Sequence, residues 1–304
     1  METLSLTTRH SSGIPFVGFG TYQLSSDQAE VGVREALKSG YRHIDSAEAY
    51  QNADGTGKAI RESGLNRSDL FITTKLFPGY KPWGAPEKSH AQTIESLKNQ
   101  LVQLQLDYVD LFLIHSPMAE TRLEQWQALI DLQRMGLTRH IGVSNYGIPQ
   151  LKEITEAGMA KPFVNQVEFH PLCMRPALTR YMQEKSIAPM AYSSLAPLST
   201  WRPVDGQGGN LLTDRKTDSQ TTCRKLALKY QVSESQILLR WGLQHGYLVI
   251  PRSTRPERIR QNIDLFGFSV SPEDMALLDG LNQDLPFAWA GSGLDPMETA
   301  PIVS

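Results

Sequence analysis

The sequence contains too few cysteines for a framework of disulfide bonds. Its 304 residues include only Cys173 and Cys223, and two thiols can form neither several disulfides nor a four-thiolate zinc site. A basic surplus is also absent, because 30 Lys and Arg stand against 32 Asp and Glu and leave a net charge of -2. Proteins that bind nucleic acid usually carry such a surplus. We therefore predict no nucleic-acid partner.

Long apolar runs are absent as well. No stretch approaches the roughly 18 consecutive apolar residues that indicate a membrane-spanning helix. The N-terminal segment METLSLTTRHSSG has no apolar core and no cleavage pattern of a secretory signal. We therefore predict no membrane partner and, by elimination, a cytoplasmic protein. The remaining composition, 40% hydrophobic and 20% charged, is typical of a globular protein.

Short β-rich apolar runs alternate with longer helical patterns along the chain. One helical pattern has Ile94, Leu97, Leu101 and Leu104 on a single face. We expect Pro86 in the first turn of this helix, a capping box at Ser233–Gln236 and a helix end at Gly136. The strand-like runs are Phe16–Phe19, Tyr41–Ile44, Leu70–Thr74, Tyr108–Ile114, Leu137–Val143, Pro162–Val167, Ile187–Ala191 and Tyr247–Ile250.

Eight strand signals that alternate with helices predict βαβ units and a parallel sheet. An open dinucleotide-binding sheet would carry G-x-G-x-x-G after its first strand. Gly18-Phe-Gly20 is followed by Gln23 where the third glycine would stand. The sequence therefore favours one α/β domain over residues 1–304, a (β/α)₈ TIM barrel with its active site at the C-terminal face. We predict a substrate and cofactor loop at about 194–218 and a C-terminal loop at about 282–304.

Polar residues follow most of the predicted strands. In a barrel the carboxyl ends of all strands open on one face, where barrel enzymes hold their active sites. Asp45, Lys75 and His115 end the second, third and fourth strands. The later strands are followed by Ser144, Asn145, Gln166, Ser193, Arg252 and Ser253.

Acid–base chemistry is suggested by three of these side chains, Asp45, Lys75 and His115, together with Tyr50, which comes five residues after Asp45. The phenol of Tyr50 has a pKa near 10 when unperturbed, so it acts at neutral pH only beside a fixed cation. Lys75 would supply that cation, and Asp45 would hold it. A neutral His115 would donate a hydrogen bond to a carbonyl oxygen. The alternatives are a buried Asp–Lys pair that only joins two strands and a histidine that only fills the core.

The motifs around these residues resemble those of a known family. DSAEAY, TTKL and LIHSP contain Asp45, Tyr50, Lys75 and His115, and they are similar to the Asp–Tyr–Lys–His tetrad of the aldo-keto reductases. The resemblance extends in order from about Gly18 to about Asn282. It includes GFGTY, IGVSNY, NQVEFHP, AYSSLAPLS and IPRSTRPERIRQN.

The resemblance implies a role for each matching residue. Tyr50 would protonate the carbonyl oxygen, Lys75 oriented by Asp45 would lower the pKa of Tyr50, and His115 would orient the carbonyl. The expected nicotinamide and pyrophosphate contacts are Gly20, Thr21, Ser144, Asn145, Gln166, Tyr192, Ser193 and Leu195. The expected adenosine-phosphate contacts are Arg252, Ser253, Thr254, Arg258, Gln261 and Asn262. The expected substrate contacts are Tyr22, Trp83, His115, Trp201 and Trp289.

The family resemblance also implies the cofactor. Arg252 and Arg258 with two hydroxyls between them suit a dianionic 2′-phosphate, so we predict NADPH, with NADH bound more weakly. Arg252 stands where many members have Lys, Gln261 where many have Glu, and Tyr22 where the vertebrate enzymes have Trp. We predict no metal, a small-molecule carbonyl substrate and a monomer.

Two other classes of function use some of the same features. Some barrels form a Schiff base on a lysine at a strand end, as aldolases do, and Lys75 occupies such an end. Asp45 argues against this class, because an ion pair keeps the amine protonated. The other class is a regulatory subunit that binds nucleotide with little turnover, which the complete tetrad disfavours.

Overall fold

Eight parallel strands form one sheet in which each strand pairs with the next along the chain. The computed structural model describes residues 13–199, 209–289 and 295–300. The sheet order is β1 to β8 without a crossover. The strands are β1 (Gly18–Gly20), β2 (His43–Asp45), β3 (Phe71–Leu76), β4 (Val109–Ile114), β5 (Thr138–Ser144), β6 (Val164–Glu168), β7 (Ala188–Tyr192) and β8 (Leu248–Val249).

The sheet closes on itself next to its first strand. Val17 and Val249 form a parallel bridge, and the amide of Gly20 donates to the carbonyl of Pro251 at 3.0 Å. These contacts join the two edges of the sheet, so the predicted barrel is confirmed. Each strand begins and ends within two residues of its predicted run, because the buried strands carry the apolar signal that predicted them.

Helices follow the strands and cover the outside of the barrel. The helices in the described part of the chain are α1 (Ser26–Lys38), α2 (Ala53–Arg61), α3 (His90–Leu104), α4 (Arg122–Arg134), α5 (Ile148–Glu156), α6 (Pro176–Glu184), α7 (Gly209–Tyr230), α8 (Glu234–Gln244), α9 (Pro256–Ile263), α10 (Pro272–Asp279) and α11 (Pro296–Thr299). α8 follows α7 directly, before β8.

The apolar core has two layers. The larger layer lies between the strands and the helices and includes Trp126 and Trp241. The smaller layer fills the barrel interior below the site. Its buried members are Ile14, Phe71, Leu111, Leu113, Val164, Ala188, Met190, Leu248 and Ile250. These side chains make the barrel a packed core and leave only the carboxyl ends of the strands for a binding site.

Local capping confirms two of the predicted helix signals and corrects a third. Ser233 and Gln236 form the expected capping box of α8, and Gly136 has a φ of +76° after the end of α4. Pro86 does not begin α3. Ser89 caps that helix through a capping box with Gln92. Its hydroxyl accepts from the Gln92 amide, and a proline side chain has no oxygen that could do so.

Part of each predicted loop is helical. α7 begins at Gly209, so the second half of the loop predicted at 194–218 is helical, and residues 200–208 lie outside the described part. The sequence at the start of α7 resembles a loop because Gly209 and Asn210 continue the glycine-rich stretch GQGGN, although the Leu, Arg and Lys residues that follow favour helix. In the segment predicted at 282–304, Asp295 caps the short helix α11.

Candidate active site

A cavity of about 1060 Å³ opens at the carboxyl ends of the strands. It is large enough for a small-molecule ligand, since such pockets commonly measure about 300–1,000 Å³. Most residues predicted for the site line it. They are Gly20, Tyr22, Asp45, Tyr50, Trp83, His115, Ser144, Asn145, Gln166, Tyr192, Ser193, Leu195, Arg252 and Trp289. Trp201, which was also predicted, lies outside the described residues.

A buried ion pair forms the floor of the cavity. Lys75 near the end of β3 is 0% exposed and Asp45 at the end of β2 is 2% exposed. The Lys75 ammonium donates to Asp45 Oδ1 at 2.5 Å, to the Ser46 carbonyl at 2.8 Å and to Tyr50 Oη at 3.3 Å. These three acceptors match the three N–H donors of an ammonium group. The other Asp45 oxygen accepts from Gln166 Nε2 at 2.7 Å.

Tyr50 ends a 3₁₀ turn, Glu48–Tyr50, that begins shortly after β2. Burial is the main cause that raises the pKa of the Tyr50 phenol well above 10, and the charge of Asp45 raises it further. This direction is opposite to the lowering expected from Lys75, because burial of the phenol, with a smaller contribution from the charge of Asp45, determines the shift. The phenol is therefore protonated at neutral pH, which is the state that a proton donor needs.

His115 follows β4 and lies beside Tyr50. Its backbone amide donates to the Leu76 carbonyl at 3.0 Å, and its ring meets the Tyr50 ring edge-on with centroids 5.7 Å apart. Burial, with a smaller contribution from the charge of Lys75, lowers the pKa of His115 to about 3. The imidazole is therefore neutral at physiological pH, with one ring nitrogen as donor and one as acceptor.

Three polar side chains at the ends of β5 and β6 form a connected group. Ser144 Oγ donates to the Gln166 carbonyl at 2.8 Å, and Asn145 Nδ2 donates to the His115 carbonyl at 3.0 Å. Asn145 has a φ of 62°, a left-handed conformation that costs energy for a residue with a side chain. Strained backbone of this kind is common at functional sites, and here it turns the residue across the strand ends.

Tyr192 at the end of β7 connects this group to the C-terminal segment. Its hydroxyl donates to Asn145 Oδ1 at 2.6 Å and accepts from Trp289 Nε1 at 3.1 Å. The Trp289 ring in turn stacks on Trp83 with centroids 6.2 Å apart and planes at 16°. Ser193, the next residue, also has a left-handed φ, 55°. The side chains of Tyr192, Trp289 and Trp83 therefore form one connected part of the cavity wall.

The residues predicted for the adenosine phosphate lie beyond β8, at and before the start of α9. Arg252 is exposed, lines the cavity, and donates to the Tyr22 carbonyl at 3.2 Å and to Gln23 Oε1 at 3.4 Å. Thr254, Arg258 and Gln261 are exposed, whereas Ser253 and Asn262 are buried and do not line the cavity. Thr21 is buried as well, and its hydroxyl donates to the Asp45 carbonyl at 3.1 Å.

Sequence reasoning missed two polar groups that support the site. Asn52 donates to the Thr21 and Leu24 carbonyls at 2.8 and 3.0 Å and so joins the β1 loop to the Tyr50 turn. Glu168 at the end of β6 accepts from the amides of Phe287 and Ala288. Asn52 follows the family motif DSAEAY, and Glu168 lies within the family motif NQVEFHP. That position is the only signal in the sequence that could have found them.

The described residues contain neither a metal-binding cluster nor a membrane-spanning helix. Within 13–199, 209–289 and 295–300, no group of three or more His, Cys, Asp or Glu is arranged to hold a metal ion. Across these ranges, no helix is both long and apolar enough to cross a bilayer.

Comparisons with known proteins agree with the fold. A model of the Aldo/keto reductase family matches residues 17–283. The chain is 36% identical over 285 residues to the glyoxal reductase of Bacillus subtilis (strain 168), which covers 93% of this chain and 95% of that protein. It is 39% identical over 272 residues to methylglyoxal reductase DkgA of Yersinia pestis, with 88% and 89% covered.

A solved structure matches the whole barrel. The crystal structure of a Bombyx mori aldo-keto reductase in complex with NADP superposes with a TM-score of 0.80 and 32% identity, over 95% of this chain and 97% of that chain. The chain therefore belongs to the aldo/keto reductase family. It is a nicotinamide-dependent oxidoreductase that acts on carbonyl groups, so the predicted reaction class is confirmed. The roles of individual residues stay predictions.

Proposed function

We propose that this protein reduces an aldehyde or ketone to the alcohol with NADPH, and that Tyr50 is the general acid. The observation that carries the proposal is the position of the Tyr50 hydroxyl. It lines the cavity 3.3 Å from the fully buried Lys75 ammonium, next to a neutral His115. Among the described residues, no other tyrosine that lines the cavity has a hydrogen bond between its hydroxyl and a buried lysine or arginine.

The residues of this site fit a nicotinamide dinucleotide. The cavity runs from Tyr50 past the amides of Asn145 and Gln166 to Arg252. Beyond Arg252, the buried Asn262 Oδ1 has no hydrogen-bond partner among the described residues, and an adenine amino group would satisfy it. When bound, the reduced cofactor supplies a hydride to the carbonyl carbon. We assign Ser144, Asn145 and Gln166 to its carboxamide and Tyr192 to the face of its ring.

The residues around the carbonyl oxygen then divide the work. The His115 imidazole donates a hydrogen bond that positions the oxygen. The Tyr50 hydroxyl gives up its proton as negative charge develops there. Lys75 stabilises the resulting phenolate from 3.3 Å, and Asp45 keeps Lys75 charged and aimed. The raised pKa of Tyr50 does not prevent this step, since an alkoxide is a stronger base than a phenolate.

The cofactor preference follows from charge at the start of α9. Arg258 is exposed and has no ion-pair or hydrogen-bond partner for its guanidinium among the described residues, and Arg252 lies at the cavity edge. A guanidinium can bind a phosphate with two parallel hydrogen bonds. We therefore propose that NADPH binds more tightly than NADH.

Schiff-base chemistry at Lys75 fits the geometry less well. Two of the three acceptors of the ammonium, the Asp45 carboxylate and the Ser46 carbonyl, cannot donate. A neutral amine could still donate to both acceptors, but it would leave the buried Asp45 carboxylate without a compensating positive charge, which costs free energy. Burial lowers the pKa of Lys75, but Asp45 acts in the opposite direction.

The test is a panel of aldehydes, ketones and ketolactones assayed with NADPH and with NADH. We expect one alcohol per NADPH consumed and a higher kcat/KM with NADPH. Borohydride treatment with a carbonyl substrate should leave Lys75 unmodified. Covalent trapping would support the Schiff-base alternative, and tight NADPH binding without turnover on any carbonyl would support a regulatory subunit.

A further inference from the structure

A buried carboxylate on the far side of the barrel mouth holds the C-terminal segment. Glu168, the last residue of β6, is 2% exposed. Its Oε1 accepts from the amides of Phe287 at 2.8 Å and Ala288 at 3.0 Å, and its Oε2 accepts a second contact from Ala288 at 3.0 Å. Two backbone donors from a segment more than 100 residues away therefore converge on one side chain.

Neighbouring groups support this contact from three directions. His170 Nε2 lies 3.0 Å from Glu168 Oε1. The Phe287 ring packs against His170 with centroids 5.3 Å apart, and the Lys216 ammonium lies 4.9 Å from the centre of the Phe287 ring. Charge-assisted hydrogen bonds to backbone amides are stronger than neutral ones. Glu168 is therefore built to fix the backbone at residues 287–288.

The next residue along the chain is the cavity-lining Trp289. Its indole N–H donates to Tyr192, and its ring stacks on Trp83. Tyr192 also pairs with Glu168 in the register of β6 and β7. The position of the indole therefore depends on two neighbouring strand ends, directly through Tyr192 and indirectly through the backbone that Glu168 holds.

We propose that Glu168 is a positioning residue for substrate, because it fixes the 287–288 backbone so that Trp289 closes the cavity against Tyr192 and Trp83. Glu168 does not line the cavity, so it acts through Trp289 and contributes to substrate affinity. This inference rests on the proposed function insofar as it concerns carbonyl substrates.

Glu168→Gln tests the proposal, because the amide keeps the shape of the side chain and loses its charge. We expect the KM for a bulky aromatic aldehyde to rise roughly tenfold, the size of effect that loss of about one charge-assisted contact gives. We expect kcat and the Kd for NADPH to change less than about twofold, since no residue around the carbonyl oxygen moves. A fall in kcat at unchanged KM would overturn the proposal.

A double-mutant cycle with Trp289→Ala separates positioning from general destabilisation. If Glu168 acts through Trp289, Glu168→Gln should add little to the KM of a Trp289→Ala enzyme. Additive effects would contradict the inference. Asp110→Asn is a matched control, because Asp110 is also a buried carboxylate that accepts from a backbone amide, that of Ile72 at 2.9 Å. It lies near the other end of the barrel, so its loss should lower Tm and leave KM unchanged.

A measurement without turnover keeps this inference separate from the proposed function. The emission of Trp289 is obtained, in wild type and in Glu168→Gln, as the difference between the protein with Trp289 and the same protein with Trp289→Phe. Acrylamide quenching of this emission should be at least twofold greater in Glu168→Gln. No change in quenching would overturn the positioning role even if the enzyme reduces carbonyls. Increased quenching in a protein that reduces no carbonyl would retain the positioning role and refute only the proposed function.

Discussion

Replacement of Asp45 by Asn tests the buried ion pair that supports Tyr50. Lys75 is 0% exposed and its shortest contact is the 2.5 Å bond to Asp45. Removal of one partner from a buried pair leaves an uncompensated charge and costs about 3–5 kcal/mol. For a chain of this size about 2 °C of Tm corresponds to each kcal/mol, so we expect Tm to fall by about 6–10 °C.

The same substitution should also lower activity, for a separate reason. Burial lowers the pKa of Lys75, and the negative charge of Asp45 raises it. Without that charge, the pKa of Lys75 falls further below its usual value. The cation that stabilises the Tyr50 phenolate is then partly lost, and we expect kcat to fall by at least about a hundredfold.

The double variant Asp45→Asn/Lys75→Met separates the two effects. It removes both charges, so most of the lost Tm should return, because neutral replacement of a buried pair is often tolerated. Its kcat should remain as low as that of Asp45→Asn or lower. Thermal unfolding by circular dichroism and steady-state reduction of an aldehyde measure both quantities. A double variant as unstable as the single one, or an active one, would refute this reasoning.

Two further predictions concern pH and cofactor choice. Because the pKa of His115 is lowered to about 3 and that of Tyr50 is raised above 10, kcat/KM should show no titration of either group between about pH 5 and pH 9. His115 should contribute stability that is lost as pH falls from about 6.5 towards 3, since the unfolded chain binds its proton first, and His115→Asn should reduce that loss in urea titrations. Arg258→Ala should weaken NADPH binding about tenfold or more and leave NADH binding nearly unchanged, as fluorescence quenching can measure. Arg260→Ala, on the same helix but paired with Glu35, should change neither, and equal loss of both cofactors in Arg258→Ala would show that Arg258 is structural.

Much of the fold could be predicted because its signals are local. The buried strands are short apolar runs, and each polar residue at a strand end has a fixed place on the barrel face. The start of α7 could not be predicted, since Gly209 and Asn210 continue a glycine-rich stretch that favours turns. Pro86 was placed wrongly in α3 because a proline signal and the Ser89 cap lie within a few residues of each other.

The site was predicted in composition but not in its connections. The contact from Glu168 to Phe287 joins residues that nothing in the linear sequence relates. The direction of the Tyr50 pKa depends on how far burial and Asp45 outweigh Lys75, and those contributions depend on three-dimensional distances. The link from Tyr192 to Asn145 and Trp289 likewise appears only when the strand ends are brought together.

The most direct test of the central claim is single-turnover reduction of an aldehyde by Tyr50→Phe at saturating NADPH. Tyr247→Phe is the matched control, because it also removes a buried tyrosine hydroxyl. That hydroxyl lies 2.7 Å from Thr179 Oγ1, and Tyr247 does not line the cavity. We predict a rate at least about a hundredfold lower for Tyr50→Phe, an NADPH affinity within about twofold of wild type, since only a proton donor is lost, and a normal rate for Tyr247→Phe. Near-normal reduction by Tyr50→Phe would contradict the assignment of Tyr50 as the general acid.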